Sequence, residues 1–388
     1  MTMELASRAT ILTPSLTLSI DSKAKAMKAE GIDVCGFGAG EPDFDTPEHI
    51  KAAAQAAIET GFTKYTPSSG TPELRQALAD KFQADNGLAY KPSQIIVSNG
   101  AKHSCYNAIL ATVQAGDEVI IPAPYWLSYP EMVRLAGGEP VFVQTKEENG
   151  WKMTSEEFQD AMTPRTKMVI INSPGNPTGA VYTKEELQAI VEVAADEEIL
   201  ILSDEIYEKL IYDDVKHIST ASLPGAYDIT ITVNGFSKAY AMTGWRLGYL
   251  GAPEPIAKAI DAIQSHSTSN PCSFAQKGAI AALKGDQQPV TDMREEFNLR
   301  RNYMVNRINA IPRVSVVNPQ GAFYVLVNIG QLGLSSTNFA DRLLSKHHVA
   351  LVPGVAFGND NTVRLSYATS LDVIKKGLDR FEEFCKTL

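Results

Sequence analysis

Five stretches of this chain place ionisable or hydrogen-bonding side chains directly after short apolar runs. Asn99-Gly100-Ala101-Lys102 follows 94–97, and Pro122-Ala123-Pro124-Tyr125-Trp126 follows 118–121. Ser173-Pro174-Gly175-Asn176-Pro177-Thr178-Gly179 follows 167–171. Ser203-Asp204-Glu205-Ile206-Tyr207 follows 199–202, and Asn234-Gly235-Phe236-Ser237-Lys238 follows 229–233. One polar residue after an apolar run means little, but five in succession point to one site. The residue types set its chemistry. Lys238 is an amine next to a buried run, and Asp204 is a carboxylate that ends Ile-Leu-Ile-Leu and needs a partner. Gly100, Ala101 and Lys102 read as the start of a helix whose backbone N–H groups suit a dianion. Ordinary roles stay open for each: a helix cap for Asp204, a core ring for Tyr207, a turn for Asn176, a surface ion pair for Arg246.

The elements that would position these residues alternate. Apolar runs at 94–97, 118–121, 141–143, 167–171, 199–202, 229–233 and 247–250 are continuous, as strands buried on both faces are. Helical patterns lie between them, from about 102 and over 185–195. This strand–helix alternation predicts an α/β fold with a mostly parallel sheet, whose ligands bind beyond the carboxyl ends of the strands. Residues 1–44 read as loop-rich. Beyond about 290 the pattern becomes α+β, with helices over 294–310, 337–346 and 371–384 and strands over 314–317 and 323–327. The expected division is a large domain over 45–288 and a smaller α+β domain built from both chain ends, 1–44 and 289–388.

Several of these stretches carry a resemblance. Residues 235–248, Gly-Phe-Ser-Lys-Ala-Tyr-Ala-Met-Thr-Gly-Trp-Arg-Leu-Gly, resemble the pyridoxal phosphate (PLP) attachment segment of class I aminotransferases. The stretches 173–179 and 203–207 match the same family in the same order, as do Gly-Ala-Gly-Glu-Pro-Asp-Phe at 38–44 and Val-Arg-Leu-Ser-Tyr-Ala at 363–368. The likeness covers essentially the whole chain and is greatest to the bacterial and plastid-type aspartate aminotransferase subgroup, some members of which also act on prephenate.

The resemblance implies a PLP-dependent transferase fold and a role for each residue. Lys238 would form the Schiff base with the cofactor aldehyde and later shuttle the proton. Asp204 would face the pyridine nitrogen, and Tyr207 with Asn176 would hydrogen-bond the ring hydroxyl oxygen. Asn176–Pro177 is expected cis. Gly100, Ala101, Lys102, Ser237 and Arg246 would hold the phosphate. Trp126 would stack on the ring, and Tyr65 would reach the phosphate of a neighbouring subunit, making a homodimer with shared sites. Cys105 and Tyr106 need no role beyond packing.

For the substrate, Arg364 and the backbone of Gly40 would take the α-carboxylate. No arginine motif for a distal carboxylate is recognisable, so Lys102 takes that part, with Ser15 and Thr17 as hydroxyl helpers. The expected reaction moves the amino group of L-aspartate to 2-oxoglutarate, giving oxaloacetate and L-glutamate. A prephenate or broader dicarboxylic and aromatic aminotransferase is the alternative. A PLP-dependent lyase and a PLP-binding sensor domain rank lower, the sensor because no DNA-binding domain fits in the chain.

Composition narrows the field. The 388 residues are 44% hydrophobic and 21% charged, ordinary for a globular enzyme. A net charge of -10 without a basic stripe argues against nucleic acid. No apolar run is long enough to span a bilayer, and the start has no signal-peptide core, so no membrane partner is expected. Four scattered cysteines, Cys35, Cys105, Cys272 and Cys385, read as reduced thiols of a cytoplasmic protein. No metal is expected.

Overall fold

The computed structural model describes residues 4–14 and 16–388. The strands, in chain order, begin with β1 (Cys35–Gly36) and β2 (Ile95–Ser98). Then come β3 (Glu118–Ala123), β4 (Glu139–Gln144), β5 (Thr166–Asn172), β6 (Leu200–Asp204), β7 (Thr230–Gly235) and β8 (Gly248–Gly251). The C-terminal part adds β9 (Ser315–Val316), β10 (Tyr324–Asn328), β11 (Val349–Ala350), β12 (Val352–Pro353) and β13 (Thr362–Ser366).

Strands β2 to β8 form one seven-stranded sheet in the order β2-β8-β7-β6-β5-β3-β4. Its pairs are parallel except those of β8, which runs against both neighbours. The continuous apolar runs have a simple cause: alternate residues serve two different cores. Ile121, Ile170 and Leu202 pack on one face, under the helices Ala101–Thr112 and Glu254–Ser267. Ile120, Val169, Ile171 and Ile201 pack on the other, beneath Lys184–Asp196. That helix buries Leu187, Ile190, Val191 and Ala194, one stripe at 3.6-residue spacing, and Thr183 with Glu186 closes its first turn as a capping box. Truncating a fully buried residue such as Ile170 to alanine would cost about 2–5 kcal/mol.

Register then aligns the strand ends. Asn172 pairs with Asp204, and Asp204 pairs with Val233, so β5, β6 and β7 finish along one edge of the sheet.

The N-terminal segment meets the C-terminal part of the chain. β1 pairs parallel with β11, joining Cys35 to Val349. β12, β13, β10 and β9 form a four-stranded antiparallel sheet, in which Arg364 lies opposite Leu326 and Val352. The closing helix Leu371–Lys386 buries Ile374, Leu378 and Phe381 against this part. Two expectations change. The first 44 residues contain a helix, Leu16–Ala29, where loop was expected; its Ala24 packs with Val34, Leu344 and Ala350, contacts that local pattern does not reveal. The helix expected to start at 294 starts at Gln288, with a proline in its first turn, where the missing N–H costs nothing. Among the described residues, no helix is long and apolar enough to cross a membrane.

Candidate active site

A cleft of ≈ 570 Å³ opens over the carboxyl edge of the large sheet. Fourteen of the fifteen residues singled out above can be placed, and Ser15 lies outside the described residues. The cleft is lined by Ala101, Lys102, Trp126, Asn176, Asp204, Tyr207, Ser237, Lys238 and Arg246 from the large sheet's strand ends. It is also lined by Thr17, Gly40 and Arg364 from the terminal segments. Gly100 does not line it but lies directly against the Arg246 guanidinium, which does. Tyr65 does not line it; its ring is 90% exposed on the loop before the helix Pro72–Asn86.

Asp204 ends β6 and is buried. Its Oδ2 accepts a hydrogen bond from the Tyr129 hydroxyl at 2.7 Å and a weaker one from Cys105 Sγ at 3.7 Å; its Oδ1 accepts one from the Ile206 backbone N–H at 3.2 Å. Burial raises the carboxyl above its ordinary value, and these three donors pull the other way without cancelling it. The helix-cap role left open above is thus not the one it plays; the one local bond, to Ile206, closes a turn. Behind it, Asn172 Nδ2 donates to the Asp204 carbonyl at 2.9 Å, and Asn172 Oδ1 accepts from the Asn176 N–H at 2.8 Å. Asn176–Pro177 is cis, as are Ala123–Pro124 and Ser173–Pro174.

Lys238 follows β7. Its Nζ donates to the Gly40 carbonyl and lies 5.9 Å from the Tyr207 ring centroid and 5.7 Å from that of Phe323. Burial disfavours the ammonium, and the pKa falls to about 8. The Tyr207 hydroxyl meets that of Tyr324 at 3.0 Å.

The helix Ala101–Thr112 begins with its N-terminus at the cleft. Gly100 has φ +91°, and a Cβ there would collide with the Arg246 guanidinium, so only glycine lets the arginine lie across the helix start. Arg246 donates to the Thr243 carbonyl at 2.8 Å and to that of Asn99 at 3.5 Å, and among the described residues it has no carboxylate partner. The surface ion pair left open for it is therefore not formed. Lys102 Nζ stands 5.0 Å from the Trp126 ring, and burial followed by the Arg246 charge lowers its pKa.

Arg364 is buried. It donates to Asn176 Oδ1 at 3.0 Å and to the Gly38 carbonyl at 2.9 Å, and stacks 4.4 Å over the Tyr324 ring. Among the described residues its Nε has no hydrogen-bond partner, and neither has the Thr17 hydroxyl.

Three contributors escaped the sequence. Tyr129 and Cys105 sit on Asp204, and Tyr324 sits on Tyr207 and Arg364. Cys105, read above as packing, faces a site carboxylate because its helix crosses behind β6. Only the spacing Trp126-x-x-Tyr129, two aromatics on one helical face, hinted at the second wall residue.

The donor set fits a planar, phosphate-bearing pyridine aldehyde. It offers a weakly basic amine, a buried carboxylate, an indole for stacking, and a helix start with a guanidinium beside it.

Comparison with known proteins agrees with this arrangement. The family model for aminotransferase class I and II matches residues 32–381. The chain is 50% identical to the aspartate aminotransferase of Bacillus subtilis, over 98% of this chain and 99% of that one. It is 49% identical to the aspartate/prephenate aminotransferase of Cereibacter sphaeroides, over 97% of each. Among solved structures, the aspartate aminotransferase of Thermus thermophilus with maleate superposes with a TM-score of 0.95 at 43% identity. That match covers 98% of this chain and all of the other.

Proposed function

The chain belongs to the class I and II aminotransferases, and from that premise we propose that it is a PLP-dependent aspartate aminotransferase whose cofactor is carried by Lys238. One juxtaposition carries the reading of the site. A single cleft holds the Lys238 amine, the Asp204–Tyr207 wall, and two further cations, Arg364 and Lys102.

When bound, PLP supplies an aldehyde that links to the amino nitrogen and a protonated ring that withdraws electrons from the neighbouring carbon. The chain's own residues do the rest. Asp204 holds the ring nitrogen protonated; its carboxyl is raised while alone, and a cationic nitrogen beside it restores the charge. Tyr129 and Cys105 fix the orientation of that carboxylate. Tyr207 and Asn176 hydrogen-bond the ring oxygen, and Trp126 packs on the ring face. The N–H groups at Gly100–Lys102, the Ser237 hydroxyl and Arg246 hold the phosphate. Lys238 Nζ, neutral in a useful fraction near pH 8, takes the proton from the substrate Cα and returns it.

Arg364 and Gly40 hold the substrate α-carboxylate. Lys102, with Ser15 and Thr17, reads the distal one. The second substrate in this reading is 2-oxoglutarate. A dicarboxylate is supported by the 43%-identical relative solved with maleate. The 49%-identical relative named for both aspartate and prephenate favours prephenate as a second donor or acceptor pair, which a flexible lysine accommodates better than an arginine fork would.

The same reading makes residues 45–288 the cofactor-holding domain, with 1–44 and 289–388 closing over substrate. It makes the enzyme a homodimer in which the outward Tyr65 reaches the partner's phosphate site, supported by an exposure that few tyrosines have. A cytoplasmic setting is part of it, supported by four unpaired thiols.

The test is a survey of half-reactions. The PLP-loaded enzyme is mixed with aspartate, glutamate, alanine, phenylalanine and arogenate, the amino donor that corresponds to prephenate, and the cofactor absorption is followed. Aspartate and glutamate should convert it fastest. Equal rates for alanine and aspartate would sink the distal-carboxylate reading.

A further inference from the structure

The segment Asp204–Glu208 leaves β6 with its side chains divided between two surroundings. Asp204 and Tyr207 line the cleft, while Glu205 and Glu208 do not. The two glutamates lie behind the wall, 1% and 7% exposed. Buried carboxylates persist only when paired, and here every oxygen is. Glu205 Oε1 accepts from Ser203 Oγ at 2.8 Å, Ser219 Oγ at 3.0 Å and the Thr220 N–H at 3.1 Å. Its Oε2 meets His217 Nε2 at 2.9 Å. Glu208 Oε1 pairs with the Lys81 ammonium, and its Oε2 accepts from Asn86 Nδ2 at 2.9 Å. Lys81 also donates to Asn86 Oδ1 at 2.7 Å and stands 3.8 Å from Asp85, which Lys209 pairs at 2.7 Å.

Glu205, Glu208 and His217 bring ligand atoms within 4.8 Å of one another, a spacing that would suit a metal ion. The positive charge beside them is already the Lys81 side chain. Burial alone would raise the Glu208 carboxyl, but Lys81 and His217 together hold it at about 2. Burial pulls His217 down, and the adjoining Glu205 more than reverses that, so its pKa stays above the ordinary value. Two buried carboxylates are thus matched by the Lys81 ammonium and by an imidazole whose protonated form Glu205 favours.

The anchors come from separate parts of the chain: the helix Pro72–Asn86, β6, His217 and the 219–220 turn. The segment they hold is a single turn with few backbone bonds of its own, Glu208 N–H to the Glu205 carbonyl at 2.9 Å and Leu210 N–H to that of Tyr207 at 2.8 Å. We propose that Glu205 and Glu208 are positioning residues for the transamination, with Lys81 and His217 as their counter-cations. They lock the turn so that the Asp204 carboxylate and the Tyr207 hydroxyl stay aimed into the cleft. This rests on the reading that Asp204 and Tyr207 face the cofactor.

The experiment uses the holoenzyme. The PLP dissociation constant, the pH midpoint of the cofactor's visible absorption change, and Tm are measured for wild type, Glu208→Gln, Glu205→Gln, His217→Gln, the pair Lys81→Met/Glu208→Leu, and Asp204→Asn. Glu208→Gln and Glu205→Gln should weaken PLP binding and lower kcat by about 10- to 100-fold, the scale of a misplaced reacting group, with KM for aspartate little changed. The absorption midpoint should move in the same direction as in Asp204→Asn. The apolar pair should recover Tm, since no charge is left unpaired, while PLP affinity and midpoint stay shifted. Should either glutamate variant fail to load, His217→Gln, which leaves the Lys81–Glu208 pair intact, should show the same shifts at smaller size. A loss of Tm with unchanged PLP affinity and midpoint, or their recovery together with Tm in the apolar pair, overturns the proposal. If Asp204→Asn moves neither quantity, the cofactor-wall reading is what fails, and this proposal falls with it.

Discussion

The cleft has two walls built on different principles. One is the carboxyl edge of the large sheet, where Asn172, Asp204 and the residues after β7 sit in strand register. The other is made by the terminal segments, where Arg364 and the Gly38 carbonyl join residues 326 apart in the chain. On the first wall both oxygens of the Asp204 side chain have donors. On the second, Arg364 Nε and the Thr17 hydroxyl are buried with no partner among the described residues. A buried donor left unpaired costs about 1–3 kcal/mol, so the Asp204 carboxylate is satisfied within the fold while Arg364 Nε is left for a ligand.

Breaking the first wall at its reactive group should have the largest effect. Lys238→Ala removes the cleft amine proposed to carry the cofactor and move the proton. Turnover should fall by at least roughly 10 000-fold, the upper range for a lost proton-transfer group. Borohydride reduction of the wild type followed by peptide mapping should place the label on Lys238; a label on another lysine contradicts the assignment.

The second wall is probed by Arg364→Lys. In the proposed role a fork that reads one carboxylate with two bonds becomes a single contact, and transition-state stabilisation in kcat/KM should fall by about 2–4 kcal/mol. The loss should be the same for aspartate, phenylalanine and alanine, because each carries the α-carboxylate. A loss confined to aspartate would move Arg364 to the distal position.

Lys102 lies where the walls meet, on the helix Ala101–Thr112 and near the Trp126 ring. Lys102→Ala keeps the backbone donor and removes the charge. Activity with aspartate and glutamate should drop roughly 10- to 1000-fold, while phenylalanine activity and PLP affinity hold. An equal drop for all substrates with weaker PLP binding would assign Lys102 to the first wall alone.

The smallest effect concerns the apoenzyme. The folded pKa of Lys238 is lowered from 10.5 to about 8 by burial. Between those values the unfolded chain holds the proton that the folded chain has released, so this group makes stability rise with pH across that window. Lys238→Met should flatten that rise. Urea midpoints of both apoproteins at pH 8 and pH 10 measure it; identical slopes would mean that the ammonium is solvated.

Much of the site was legible without coordinates, for a local reason. Strands buried on both faces appear as continuous apolar runs, such as Met168–Ile171 and Ile201–Leu202, and a parallel sheet aligns whatever follows them. Asp204, Asn176 and Lys238 could therefore be grouped from the order of residues alone. Other features had no local trace. The reversed direction of β8, the helix Leu16–Ala29, the hydroxyl pair Tyr207–Tyr324, and the approach of Tyr129 and Cys105 to Asp204 all depend on which elements pack together across long stretches of chain. The division between Asp204 and Tyr207 toward the cleft and Glu205 and Glu208 toward Lys81 and His217 was hidden for the same reason. Sequence by itself determined which chemical groups stand at the strand ends, because strand burial and periodicity are properties of neighbouring residues. Only the tertiary structure decided which of those groups are satisfied and which are left for a ligand, because a hydrogen-bond partner is found across space, by packing, and not along the chain.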